Sequence, residues 1–107
     1  MKMFYVKNIR THQDEPVGSY GKKWLTFMEQ HYKGKVEKML TDGNYYDVAR
    51  SVDESAWEYH DLLERQYQEA HPRPKGFENI VAWERTRGFY VDGEVMRSKV
   101  LVAMTTV

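Results

Sequence analysis

From Tyr45 to Ala70 the core-type positions recur in alternating steps of four and three: Tyr45, Ala49, Val52, Ala56, Tyr59, Leu63, Gln66 and Ala70. That spacing puts side chains on one side of an α-helix, so it predicts a single long helix with a buried stripe. The opposite side collects Asp47, Glu54, Glu58, Asp61, Arg65 and Glu69, a charged and mainly acidic outer face. Ser51 or Asp53 could cap a fresh start partway along, but the stripe runs through both and favours one helix.

The flanking segments arrange themselves around this helix. Met3 to Ile9 alternates imperfectly and predicts a short strand or an extended arm. Thr11 to Pro16 is polar, ends in proline and is expected to be a loop. Ser19 in Gly18-Ser19-Tyr20-Gly21 is the expected N-cap of a helix from about Tyr20 to Tyr32, with Trp24, Leu25, Phe27, Met28, His31 and Tyr32 on its apolar face. A shorter helix over Lys35 to Thr41 turns Val36, Met39 and Leu40 inward and stops at Asp42-Gly43-Asn44. The long helix must end near His71, because Pro72 and Pro74 remove donors and disfavour helical geometry before them. Phe77, Ile80, Val81, Ala82 and Trp83 form another helical patch, ending near Gly88.

The last segment carries two conflicting signals. Phe89-Tyr90-Val91, Asp92-Gly93, Glu94-Val95-Met96 is a strong hairpin pattern, whereas Asp92 could cap a helix burying Met96, Val100, Ala103 and Val107. The expected fold is mainly α: a compact bundle of four to five helices around one long central helix, in one domain over residues 1–107. It has a short extended N-terminus and either a small hairpin or a helix at the C-terminus.

With 107 residues, a single core is near the size that sustains itself without disulfides or metal. Eight Tyr, three Trp and four Phe make that core aromatic-rich. The absence of cysteine excludes a disulfide framework, a Cys-based zinc site and a thiol nucleophile, and it fits a cytoplasmic location. No run approaches the roughly 20 apolar residues of a membrane span, and the first seven residues are too short and interrupted for a signal peptide. Neither a membrane nor a cofactor is therefore expected as a partner.

Acidic and basic side chains cancel overall, yet they are unevenly spread. Residues 1–42 carry eight Lys/Arg against five Asp/Glu, residues 43–72 two against seven, and residues 73–107 six against four. An acidic middle between basic ends means either that the arms pack beside the central helix or that a negative strip docks on a basic partner.

Candidate chemistry is sparse. His12, His31, His60 and His71 lack the His-x-x-x-His or Glu-x-x-His spacing of a helical metal site, and Asp61 and Glu64 lie near His60 in a stretch already dense in carboxylates. Neither a Gly-rich phosphate loop nor a Gly-x-Ser-x-Gly turn occurs, so neither a catalytic nor a metal site is expected. Lys22-Lys23-Trp24, with Lys33, Lys35, Lys38 and the later Arg85, Arg87 and Arg97, is the candidate nucleic-acid surface; its plainer reading turns Trp24 into the core. Trp57 falls on a flank of the long helix near Tyr46, Asp53 and Glu64, where it is either an interface anchor or covered by a terminal segment.

Several motifs in register resemble the transposon-encoded TnpV family. They are the early aromatic pair Phe4-Tyr5, the acidic Asp14-Glu15-Pro16, and the Gly-x-Tyr-Gly step Gly18-Ser19-Tyr20-Gly21. The basic-aromatic helix from Lys22 to Glu29-Gln30-His31, the step Met39-Leu40-Thr41-Asp42-Gly43, and Ala49, Ala56 and Leu62-Leu63 continue the likeness over about residues 18–70. Glu94-Val95-Met96 and Val100-Leu101-Val102 match the family's ending, interrupted by Gly88 and Asp92-Gly93. The resemblance implies a mobile-element accessory protein and supplies no mechanism. The expected role is non-enzymatic protein binding through Asp47, Glu54, Trp57, Glu58, Asp61 and Glu69, as an inhibitor of a nucleic-acid-binding host or defence factor. DNA binding through the lysine and arginine set, or homodimerisation along the heptad stripe, are the alternatives.

Overall fold

The computed structural model describes residues 3–101 and builds the domain in chain order. Strands β1 (Met3–Lys7) and β2 (Asp14–Gly18) form an antiparallel hairpin. Helices α1 (Ser19–His31), α2 (Lys33–Asp42), α3 (Tyr45–Ala70) and α4 (Phe77–Val95) follow, the last continuing into a π-helical turn over Met96–Val100. The fold is mainly helical around a long central helix, and α3 has the predicted bounds. Ala103 and Val107, expected on a C-terminal buried face, lie outside the described residues.

The predicted loop over Thr11 to Pro16 is half strand. β2 pairs with β1 in the register Met3↔Gly18 to Lys7↔Asp14, and Pro16 is tolerated because it lies on an edge strand. The loop between the strands is held by Asn8, whose side-chain oxygen accepts hydrogen bonds from the backbone N–H groups of Arg10 (2.8 Å) and Thr11 (3.1 Å). Tyr46 fastens this hairpin to α3: its hydroxyl accepts from the Ile9 N–H at 3.0 Å and donates to the Lys7 carbonyl at 3.3 Å.

The core gathers Tyr20, Trp24, Leu25 and Met28 of α1, Val36 and Met39 of α2, and Tyr45, Ala49, Val52, Ala56 and Leu63 of α3. Gly43, at φ 79°, ends α2 in the left-handed conformation that glycine adopts without strain. Val91, Val95 and Val100 close the core from the far end of the chain. Their burial settles the C-terminal ambiguity, since Asp92-Gly93 lies inside α4 and no hairpin forms. Apolar packing of three valines outweighs the local turn preference of Asp-Gly.

A bundle compact throughout is not what forms. The described chain measures 53 × 26 × 20 Å, and no residue from Glu64 to Tyr90 is fully buried. At ~1.5 Å per residue α3 is about 39 Å long and α1 only about 20 Å, so the distal third of α3 outruns the other helices. Gln66 and Ala70, predicted to be inside, are therefore exposed. This part of α3 pairs with α4 as far as Tyr90, forming a two-helix arm. Tyr67 lies 4.6 Å from His71, 5.9 Å from Tyr90 and 6.1 Å from Trp83 between ring centroids, and Trp83 Nε1 donates to the His71 carbonyl at 2.8 Å.

Candidate interaction surface

Because α3 packs with its apolar stripe inward, its opposite side faces solvent over its whole length. Asp47, Glu54, Glu58, Asp61, Arg65 and Glu69 are all exposed there. Asp47 is held by Arg50 at 2.6 Å, and Arg50 also donates to Glu15 and to the Pro16 carbonyl, both at 3.2 Å. These carboxylates hold the Arg50 guanidinium above its ordinary pKa, the Asp47 hydrogen bond contributing most. Glu54, Glu58 and Glu69 have no cation partner among the described residues. The middle of the flank is therefore uncompensated negative charge.

Asp61 belongs to a denser group. His60 Nδ1 lies 3.2 Å from Asp61 Oδ1 and 3.4 Å from Glu64 Oε1, and Arg87 approaches the other Glu64 oxygen at 3.5 Å. One ring nitrogen and two carboxylates thus lie within 4.8 Å of one another, the spacing of a candidate metal-ligand set. The Arg87 guanidinium already engages Glu64, which accounts for the group as a polar cluster whose Arg87–Glu64 ion pair ties α3 to α4.

The aromatics predicted on this flank are wholly or partly covered by other elements. Tyr46 is buried under the hairpin. Trp57 is half-buried, its ring meeting Tyr20 edge-on at 4.8 Å and His60 at 4.8 Å. A wheel drawn on α3 alone cannot include Tyr20, which comes from α1. Trp57 lies under the acidic flank and supports it rather than standing on its rim.

The basic candidates are dispersed. Trp24 is fully buried, so it offers no stacking face beside Lys22 and Lys23. Lys22 lies over the Phe4 ring, Lys23 over Tyr20 and 3.9 Å from Asp92, and Lys35 over Tyr32. Lys33 and Lys38 are exposed on α2, and Arg85 is exposed on the arm. Arg87 is occupied by Glu64 and by the Trp83 ring at 4.8 Å, and Arg97 pairs with Glu94 on its own helix.

One functional position in the fold escaped the sequence reading. Ser19 makes no capping hydrogen bond; Gly18 takes the N-cap position, and the α1 amide of Gly21 donates to the Asp53 carboxylate of α3 at 3.0 Å. Asp53 is buried and serves as a cap supplied by another helix. Gly18 and Gly21 permit this approach: a Cβ on Gly18 would lie 2.1 Å from Asp53 Oδ2, and one on Gly21 2.5 Å from Val17 Cγ2. Tyr20 between them donates to Asp92 Oδ1 at 2.9 Å. Two glycines three apart at a helix start were the available sign of close approach by another element.

Together these features define a small, mainly helical protein whose long central helix exposes an open acidic flank. The model of the family described as transposon-encoded protein TnpV matches residues 3–88, and the chain belongs to that family. It is accordingly a transposon-encoded accessory protein and not an enzyme. No curated protein and no solved structure matches it. No helix among the described residues is long and apolar enough to cross a membrane.

Proposed function

We propose that this accessory protein acts by binding another protein, and that Glu54, Glu58 and Asp61, flanked by Asp47 and Glu69, form the contact surface. The observation that carries this reading is the uncompensated charge of Glu54 and Glu58 in the middle of a rigid helix. A preformed negative strip complements a basic surface and costs little conformational entropy to present. The fitting partner is a nucleic-acid-binding protein of the host, a defence factor included, or of the element. Occupying its basic surface would inhibit it.

The test is capture of partners from nuclease-treated bacterial lysate by the wild-type protein and by the Glu54→Lys/Glu58→Lys variant. The wild type should retain a basic protein that the variant loses, with unchanged helical circular dichroism. Equal capture by both removes the acidic flank from the mechanism. The competing DNA reading expects direct binding that weakens steeply with salt and is reduced by Lys22→Glu/Lys23→Glu on every sequence. Trp24's burial and the internal engagement of Lys23 and Arg87 favour the protein partner.

A further inference from the structure

The outer side of α4 carries a row that neither the core nor the acidic flank uses. Phe77, Val81, Arg85 and Phe89 follow at intervals of four on the side away from Trp83 and Arg87, which face α3. Phe77 is 82% and Phe89 76% exposed, more than any other large apolar residue among those described. Gly88 lies on the same side, and a Cβ added there would meet nothing within 4 Å. Glycine inside a helix costs about 1 kcal/mol relative to alanine, and no contact among the described residues requires it.

We infer that this face binds a second copy of the chain, with the two α4 helices antiparallel across a two-fold axis that crosses α4 at the axial level between Val81 and Trp83. Phe77 and Gly88 are eleven residues apart, which puts them within about 20° on the helical wheel and about 16 Å apart along the axis. An antiparallel copy therefore brings each Phe77 onto the Gly88 of the other, twice by symmetry, with Phe89 beside it as an aromatic neighbour. The charges agree with the same register. Glu78 and Arg85 are exposed and have no partner among the described residues, and the pairing sets each Glu78 beside the Arg85 of the second copy.

This is a different seam from the heptad stripe of α3, whose first two-thirds are consumed by the chain's own core. A face of about four turns falls short of the roughly 1,200–2,000 Å² of a stable complex, so the dimer is reversible and concentration-dependent.

Sedimentation equilibrium from roughly micromolar to millimolar protein tests the assignment. The wild type should pass from monomer to dimer across that range. Gly88→Glu and Phe77→Ser should each weaken association at least tenfold while leaving circular dichroism unchanged, since both positions are exposed. Glu78→Arg and Arg85→Glu should each weaken it as well, and their combination should restore it. A monomer throughout, a dimer indifferent to Gly88→Glu, or a charge swap that fails to restore association would each overturn the inference.

Discussion

Gly18 and Asp53 lend themselves to a double-mutant cycle whose outcome follows from the geometry. A Cβ on Gly18 would sit 2.1 to 2.5 Å from all three carboxyl atoms of Asp53, while the Gly18 backbone, at φ −78° and ψ 176°, suits alanine. The cost of Gly18→Ala therefore arises from the collision, about 1–3 kcal/mol for overpacking, reduced by the ~0.4–1 kcal/mol gained from a stiffer unfolded chain. Asp53→Ala removes the acceptor of the buried Gly21 amide, about 1–3 kcal/mol, together with ~0.3–1 kcal/mol for a negative charge at the start of α1. If the two acted independently, the double variant would lose the sum. Once the carboxylate is gone, however, the new methyl occupies vacated space, so the double variant should be about as stable as Asp53→Ala alone. Urea unfolding followed by circular dichroism, with midpoints and slopes for all four proteins, measures this coupling. Ser19→Ala is the control and should shift stability by less than about 0.5 kcal/mol, because Ser19 makes no cap hydrogen bond. Additivity within about 0.5 kcal/mol, or a Ser19→Ala loss equal to that of Asp53→Ala, would refute the account of Asp53 as the cap of α1.

Other consequences are as direct. Burial, followed by the hydrogen bond to Asp92, raises the Tyr20 phenol well above its ordinary pKa, and burial with Glu29 does the same for Tyr45. Each folded pKa is raised, so the stability these tyrosines contribute is fully present below about pH 10 and is lost as pH climbs beyond it toward the folded values. The unfolding free energy from urea titrations above pH 10 should fall by about 1.4 kcal/mol per pH unit for each tyrosine, and Tyr20→Phe or Tyr45→Phe should each remove one such contribution; an unchanged slope contradicts the assignment. Gly93→Ala should stabilise the protein by about 0.5–1 kcal/mol in the same unfolding assay, since Gly93 is helical with open space at its Cβ, whereas a turn with positive φ would make alanine costly there. Trp83→Phe, which deletes the donor to the His71 carbonyl, should cost about 0.5–1.5 kcal/mol and speed amide exchange in the arm ahead of the core.

What could be read from the chain depended on whether one segment or two decided the outcome. The bounds of α3 and its exposed acidic flank were legible because the stripe from Tyr45 to Leu63 is regular and Pro72 and Pro74 end it from within. β2 was not, since Asp14-Glu15-Pro16 has little strand preference and is extended only because β1 lies beside it. Asp92-Gly93 carries turn chemistry, and only the pocket that takes Val91, Val95 and Val100 shows why the helix passes through it. The stripe's last positions, Gln66 and Ala70, look like core until the lengths of α1 and α2 are known. Within the candidate surface the same division holds: Glu54 and Glu58 were placed by their own helix, while the position of Trp57 depended on Tyr20.

The Gly18-Ser19-Tyr20-Gly21 step, one of the motifs that carry the family resemblance, joins elements far apart in the chain. Gly18 and Gly21 make room for Asp53, Val17 and Ala49, while Tyr20 reaches Trp57 of α3 and Asp92 of α4. Substitutions at Gly18, Tyr20 or Gly21 remove support from α1, α3 and α4 together, so a loss of activity in such variants reports folding before it reports binding. Glu54 and Glu58 on α3, and Phe77, Arg85 and Gly88 on α4, are exposed outside the core, so a loss there with intact stability has no route through the fold. Because the acidic flank and the outer row of α4 use different residues, charge reversal at Glu54 and Glu58 should leave self-association intact. Gly88→Glu should correspondingly leave capture of a basic partner intact, unless the partner recognises the dimer.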